Sequence, residues 1–175
     1  VVYRRQNKVT RDIANGTAVN VVTMVFGNMG DDSATGVVFT RSGANGKKEL
    51  EGDYLINAQG EDVVAGVRTG KNIEMLKKEM PQSYKELNNA CTKLENHFKE
   101  VQDMEFTVEQ GKFYLLQTRG AKMAAQGYVK TSVDMVKEKL IDKNRSLLRI
   151  PAEQLEALLH NTIDEKKAKQ FKQLA

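Results

Sequence analysis

Apolar and polar positions alternate most clearly between Asp103 and Arg119, where the chain runs Asp-Met-Glu-Phe-Thr-Val-Glu-Gln-Gly-Lys-Phe-Tyr-Leu-Leu-Gln-Thr-Arg. A period of two marks half-buried strands, so the stretch predicts a two-stranded hairpin. Val108-Glu109-Gln110-Gly111-Lys112 fits a three-residue loop closed by a glycine in the left-handed conformation. That loop pairs Val108 with Lys112, Phe106 with Tyr114, Glu105 with Leu115 and Asp103 with Gln117. Opposed residues point to the same side of a sheet. Asp103, Glu105, Gln117 and Arg119 are therefore expected on one face, and Met104, Phe106, Val108, Tyr114 and Leu116 on the other. A slip to a two-residue loop would divide the quartet between opposite faces.

Elsewhere the pattern changes period. Thr17 to Phe26 is nearly continuous in apolar and β-branched residues, which predicts a strand buried on both faces. Ser33-Ala34-Thr35-Gly36 reads as a small-residue loop entering a strand at Val37–Arg41, and Asp53 to Ala58 as a further strand. From Asn72 the spacing becomes helical. Ile73 and Leu76 begin a short helix, and Pro81 suits the first turn of a longer one. Tyr84, Leu87, Cys91, Leu94, Phe98 and Val101 form its apolar stripe. Val129, Val133, Val136 and Leu140 predict a second amphipathic helix, followed by short helical pieces around Leu147, Leu148 and Ile150, then Leu155, Leu158 and Leu159. Three units result: a polar, irregular lead-in (1–15), an α+β unit (16–122) and a helical connector (123–175).

The 175-residue length fits one domain with a small appendage. No apolar run reaches the length of a membrane span, and no secretory leader is legible. Since Val1 is no starting methionine, the chain reads as an excerpt of something longer. The lone Cys91 excludes an internal disulfide and fits a reducing compartment, with a cytoplasmic (or organellar) location expected. The net charge of +4 raises nucleic-acid binding. However, lysines concentrate on helical segments and in the tail 165–172, interleaved with acids elsewhere; no basic stripe alternates with aromatics, so a solvated face is the reading taken.

The candidate chemistry sits on the hairpin. Two carboxylates, an amide oxygen and a guanidinium on one rigid surface suit a hard cation carrying phosphates, magnesium above all. The plainer alternative is a polar strand face meeting water. Thr35 and neighbouring amides could meet phosphate, and the acids of Gln59-Gly60-Glu61-Asp62, with Arg68 beyond, could lie near a nucleotide. His97 and His160 are isolated, and no triad is present.

Gly16-Thr17-Ala18-Val19-Asn20-Val21, Thr23-Met24-Val25-Phe26-Gly27-Asn28-Met29-Gly30, the run from Tyr54 to Thr69, the hairpin and Leu148-Arg149-Ile150-Pro151-Ala152 together resemble the pyruvate, phosphate dikinase family over nearly the whole chain. The resemblance implies half of an ATP-grasp fold, in which two lobes clamp ATP. It assigns magnesium to Glu105 and Gln117, support to Asp103, terminal phosphates to Arg119, the adenine hinge to Met24 and Val25, and phosphate-loop contacts to Thr35 and Gly36; Asp62, from the glycine-bracketed acids above, is counted with the nucleotide contacts. It implies transfer of the β,γ-phosphates of ATP to a histidine on a phosphohistidine domain, then to phosphate and to pyruvate on a barrel domain, in a homodimer. Those partners and the first lobe lie outside the chain, so no turnover is expected from it alone. Ala34, Val22 and Gly70 depart from the family pattern. A phosphoenolpyruvate synthase-type dikinase and a non-catalytic binding module are the alternatives.

Overall fold

The computed structural model describes residues 2–12, 14, 16, 19–64 and 69–159. In chain order the elements are α1 (Val2–Gln6), β1 (Ala34–Phe39), β2 (Glu51–Ile56), α2 (Gly60–Val64), β3 (Lys71–Asn72), a 3₁₀ turn (Ile73–Met75), α3 (Leu76–Glu79), α4 (Pro81–Phe98), β4 (Gln102–Glu109), β5 (Lys112–Gly120), α5 (Ala125–Lys137), α6 (Lys143–Leu148) and α7 (Ala152–Leu159). The strands form one antiparallel sheet in the order β3-β2-β1-β4-β5. The fold is α+β.

α4 starts where proline can occupy the first turn and stops at Lys99, whose left-handed φ of 57° ends the helical ladder. Its Leu87 and Cys91 pack with Ile73, Leu76, Ala34, Val38, Tyr54, Met104, Phe106 and Val108 to form the main core. The predicted stripe therefore holds at its centre. Its ends differ: Phe98 is largely exposed, and Val101 belongs to a second core with Ala121, Met123, Met135 and Ile141. That second core joins α5 to the end of the sheet, because Phe39 packs against it.

Four expectations change. The described part of the predicted first strand, 19–26, has no strand pairing, and Val21 is 95% exposed. A continuous apolar run needs neighbours on both sides to be buried, and no described segment supplies them. Ser33–Gly36 is not a loop before a strand, since β1 begins at Ala34 in the middle of the sheet. Gly36 is required there because a Cβ would meet Phe106 ring carbons at 2.8 Å and the Asp53 carbonyl at 2.7 Å. In α5 the buried side carries Gly127, Thr131, Ser132 and Met135, while Val133 is exposed. Thr131 donates its hydroxyl to the Gly127 carbonyl at 2.8 Å, which lets a polar residue take the core position. The lead-in contains a helical turn, α1, rather than irregular chain throughout. Arg68, His160 and the lysine-rich stretch near the carboxyl end lie outside the described residues.

The hairpin register also departs from expectation. Glu109 pairs with Lys112, so the loop has two residues, Gln110 and Gly111, with φ of 48° and 77°. Two successive positive φ values match the twist of flanking strands. Val108 faces Phe113, Thr107 faces Tyr114 and Phe106 faces Leu115; a bulge follows, so that Glu105 faces Gln117 and Asp103 faces Arg119. The loop is one residue shorter than expected, and the extra residue in β5 restores the parity it removes. Phe113, not Tyr114 or Leu116, turns to the core and stacks on Phe106.

Candidate functional site

The face of the sheet turned away from α4 carries three rows of side chains. One row is Asp53, Val37, Glu105 and Gln117. The next is Glu51, Phe39, Asp103 and Arg119, and the third is Leu55, Thr35, Thr107 and Tyr114. α2 packs over β1 and β2 at the third row, while Phe39 joins the second core beneath α5. Between these covers lies a groove of about 460 Å³ lined by Thr35, Gly36, Val37, Gly60, Glu61, Val63, Glu105 and Leu116.

The expected quartet thus shares one face, as two directly opposed pairs. Asp103 accepts a hydrogen bond from Arg119 Nε at 2.8 Å. This contact, then the charges of Asp103 and Glu105, hold the guanidinium above its ordinary pKa. Only Nε is used, so the two terminal nitrogens make no bond among the described residues and keep their paired donor geometry. Glu105 and Gln117 likewise make no side-chain hydrogen bond among the described residues.

Oxygen atoms of a carboxylate and an amide, adjacent and unengaged, suit magnesium, which is usually held by one or two carboxylates while water and substrate phosphate complete its shell. No group of three or more His, Cys, Asp or Glu capable of holding a metal occurs among the described residues. The donor set therefore fits an ion shared with a phosphate ligand rather than one caged by protein. The residues present fit the group.

Other expected contacts fall elsewhere. Thr35 is buried, and its hydroxyl donates to the Phe106 carbonyl at 3.2 Å instead of facing outward from a loop. Asp62 accepts from the Gln59 N–H at 2.9 Å, which satisfies a free donor at the start of α2. Its neighbour Glu61 is the acid that lines the groove. An acid at the third helical position often reaches back to the residue before the helix; that spacing was the signal separating the two. Met24, 72% exposed, and Val25 line no part of the groove. They extend from Phe26, whose N–H donates to Glu109 Oε1 at 2.9 Å.

A buried ionic cluster escaped sequence reasoning. Arg41 donates to both oxygens of Glu95 at 2.6–3.1 Å and to Glu138 at 2.7 and 2.9 Å. It lies two residues beyond the end of β1 and ties α4 to the residue capping α5. Its one clue was Glu95, which continues the four-residue spacing of Ser83, Leu87 and Cys91 on the buried side of α4.

Among known families, the one described as pyruvate phosphate dikinase, AMP/ATP-binding domain, matches residues 1–88 and 80–140. The chain is 51% identical over 164 residues to pyruvate, phosphate dikinase of Clostridium symbiosum, covering 94% of this chain and 18% of that protein. It is 49% identical over 172 residues to the Rickettsia prowazekii (strain Madrid E) protein of the same name, covering 95% and 19%. It is 51% identical over 165 residues to the Entamoeba histolytica one, covering 93% and 19%. The chain thus spans under a fifth of the length of these relatives.

Proposed function

The chain belongs to the pyruvate phosphate dikinase AMP/ATP-binding domain family, and on that footing we propose that it forms one wall of a magnesium-ATP cleft in a dikinase. The observation that carries this reading is the pairing of Glu105 with Gln117 and of Asp103 with Arg119 on the sheet face away from α4. Glu105 and Gln117 hold magnesium, and Arg119, oriented by Asp103, meets the terminal phosphates. Thr35, Gly36 and Asp62 shape the nucleotide side of the groove, the first two as strand residues and Asp62 by fixing the start of α2 beside Glu61. Met24 and Val25 form the adenine hinge. Bound magnesium supplies neutralisation of phosphate charge. Arg119 adds a fixed donor pair, and α2 covers one side of the face beside the groove. Positioning and charge compensation are the main demands of phosphoryl transfer.

The remaining reaction lies beyond this chain: an ATP-grasp partner lobe, a phosphohistidine domain that takes the β,γ-phosphates with release of AMP, and a barrel where pyruvate becomes phosphoenolpyruvate, in a homodimeric, cytoplasmic or organellar enzyme. Among the described residues no helix is long and apolar enough to cross a membrane. In a dikinase polypeptide containing this sequence, Glu105→Ala is expected to lower AMP formation from ATP by about 10²-fold or more, the scale for losing one preorganised contact. Phosphoryl transfer within a few-fold of the parent would defeat the reading. The non-catalytic module predicts that result, and a nucleic-acid binder predicts binding that ignores magnesium and falls steeply with salt.

A further inference from the structure

We propose that Glu109 is a positioning residue that sets the adenine-binding segment relative to the magnesium-bearing hairpin. The inference rests on the reading of Met24 and Val25 as the hinge, and deepens it. The tip of the hairpin is stitched to the loop that follows that segment: Gly111 N–H donates to the Asp32 carbonyl at 2.9 Å and Gln110 N–H to Ser33 Oγ at 2.9 Å. On the other side, Ala58 N–H donates to the Gly27 carbonyl at 3.0 Å and Asn57 N–H to the Ser33 carbonyl at 2.8 Å. Gly27 is wedged so closely that a Cβ would meet the Ala58 carbonyl oxygen at 2.5 Å. Residues 27–33 are thus clamped between β2 and the hairpin.

Ahead of that clamp, 19–25 run without strand pairing and expose Val19, Val21, Val22 and Met24. Such an apolar strip suits the face of a purine base. The bond from Phe26 N–H to Glu109 Oε1 reaches past the clamp across 83 residues of sequence. Glu109 ends β4, four residues along the same strand from Glu105. One strand therefore carries a phosphate-side ligand at one point and the anchor of the base-side segment at another. The Glu109 carboxylate fixes the distance between them; it touches neither substrate nor metal.

The test uses a complete dikinase polypeptide carrying this sequence, with Glu109→Ala and Glu109→Gln. A hinge contact made equally in ground and transition states changes KM and spares kcat. Glu109→Ala is expected to raise KM for ATP by about three- to tenfold, the scale of one solvent-accessible hydrogen bond. The kcat should stay within about twofold. Glu109→Gln should restore KM, since its amide oxygen accepts the same N–H. Magnesium tripolyphosphate, which has phosphates and no base, should inhibit parent and Glu109→Ala equally. An unchanged KM for ATP, failure of Glu109→Gln to restore it, or equal weakening of tripolyphosphate overturns the proposal. Photolabelling of the parent with an azidoadenine analogue of ATP separates this from the hinge assignment. Label outside 19–26 removes the hinge and the proposal together. Label inside 19–26 with an indifferent Glu109→Ala removes the proposal alone.

Discussion

Replacing Arg41 by methionine keeps an unbranched apolar stem and removes the charge that two carboxylates share. Side-chain exposure is 0% for Arg41, 9% for Glu95 and 27% for Glu138, so the loss falls chiefly on Glu95. Burial by itself would lower the guanidinium pKa, but its hydrogen bonds to Glu95 and Glu138 outweigh that and hold it above its ordinary value. After the substitution Glu95 keeps the Thr40 hydroxyl at 2.9 Å, and Glu138 keeps Lys48 at 2.7 Å. Breaking a buried pair from one side costs about 3–5 kcal/mol, and these two survivors put Arg41→Met near the lower end. At roughly 2–4 °C per kcal/mol for a chain of this size, the melting temperature should fall by about 6–12 °C. Urea unfolding followed by circular dichroism measures the loss by linear extrapolation. Arg41→Met/Glu95→Leu, which removes the stranded carboxylate, should recover most of it, because an apolar replacement of a buried pair is often neutral. A loss below about 1 kcal/mol for Arg41→Met would refute the reasoning, since it would mean the pair is solvated. So would a double variant no more stable than the single one.

Glu138 is held below the usual carboxylate range by its hydrogen bond to Arg41, with burial opposing and Lys48 assisting. Its stabilising effect is complete above the unfolded value of 4.5 and is lost as pH falls through the lower folded value. The stability gap between parent and Glu138→Gln should therefore close on acidification below that point, as read by melting temperature against pH. Burial pushes the Cys91 thiol up to about 12. The unfolded thiol ionises first, so folding stability should drop as pH rises from 9 towards 12, a slope that Cys91→Ala flattens. Ellman's reagent at pH 8 should react with Cys91 only at the rate of unfolding. Deleting Leu116 removes the bulge yet leaves Gln117 opposite Glu105 and Arg119 opposite Asp103, so manganese affinity, measured by electron paramagnetic resonance as a magnesium proxy, should stay within a few-fold. Deleting Gln117 instead closes the bulge with Leu116 opposite Glu105, which removes the amide ligand while Arg119 stays opposite Asp103, and should weaken that affinity well beyond the Leu116 deletion; equal affinity in both deletions counts against the paired site.

How much of this was legible depended on where each signal originates. The stripe Tyr84, Leu87, Cys91 and Leu94 was readable because a helix on a sheet buries one face at its own period. The run 19–26 was not, because apolar content states a need for neighbours without supplying them. Ser33-Ala34-Thr35-Gly36 resembled a loop because its residues are small. Gly36 is small instead for the sake of the Phe106 ring, which lies where its side chain would go. The α5 stripe shifted because Thr131 and Ser132 find partners inside: Thr131 on the Gly127 carbonyl, and Ser132 accepting from Arg149 at 3.1 Å. Hydroxyls satisfied this way pack like apolar groups, which no hydropathy pattern records.

The hairpin is the sharpest case, because the quartet's shared face was expected correctly through a register that was wrong, while Tyr114 and Leu116 fell on the face opposite to the one expected. The sequence expectation needed an odd-numbered loop to keep Asp103, Glu105, Gln117 and Arg119 together. The loop is even, at Gln110 and Gly111, and alone would have put Gln117 opposite Met104, against the main core. The irregularity beyond Phe106 supplies the missing residue. The two features therefore depend on each other. Positive φ at both loop residues gives the tight tip whose amides reach Asp32 and Ser33, and the bulge then returns the strand to the parity that a polar face requires. A three-residue loop without a bulge would also gather the quartet, but it would move the tip away from the clamp on residues 27–33. The polar face and the clamp are met together by the shorter loop with its compensating bulge, and local turn chemistry alone could not have revealed that second demand.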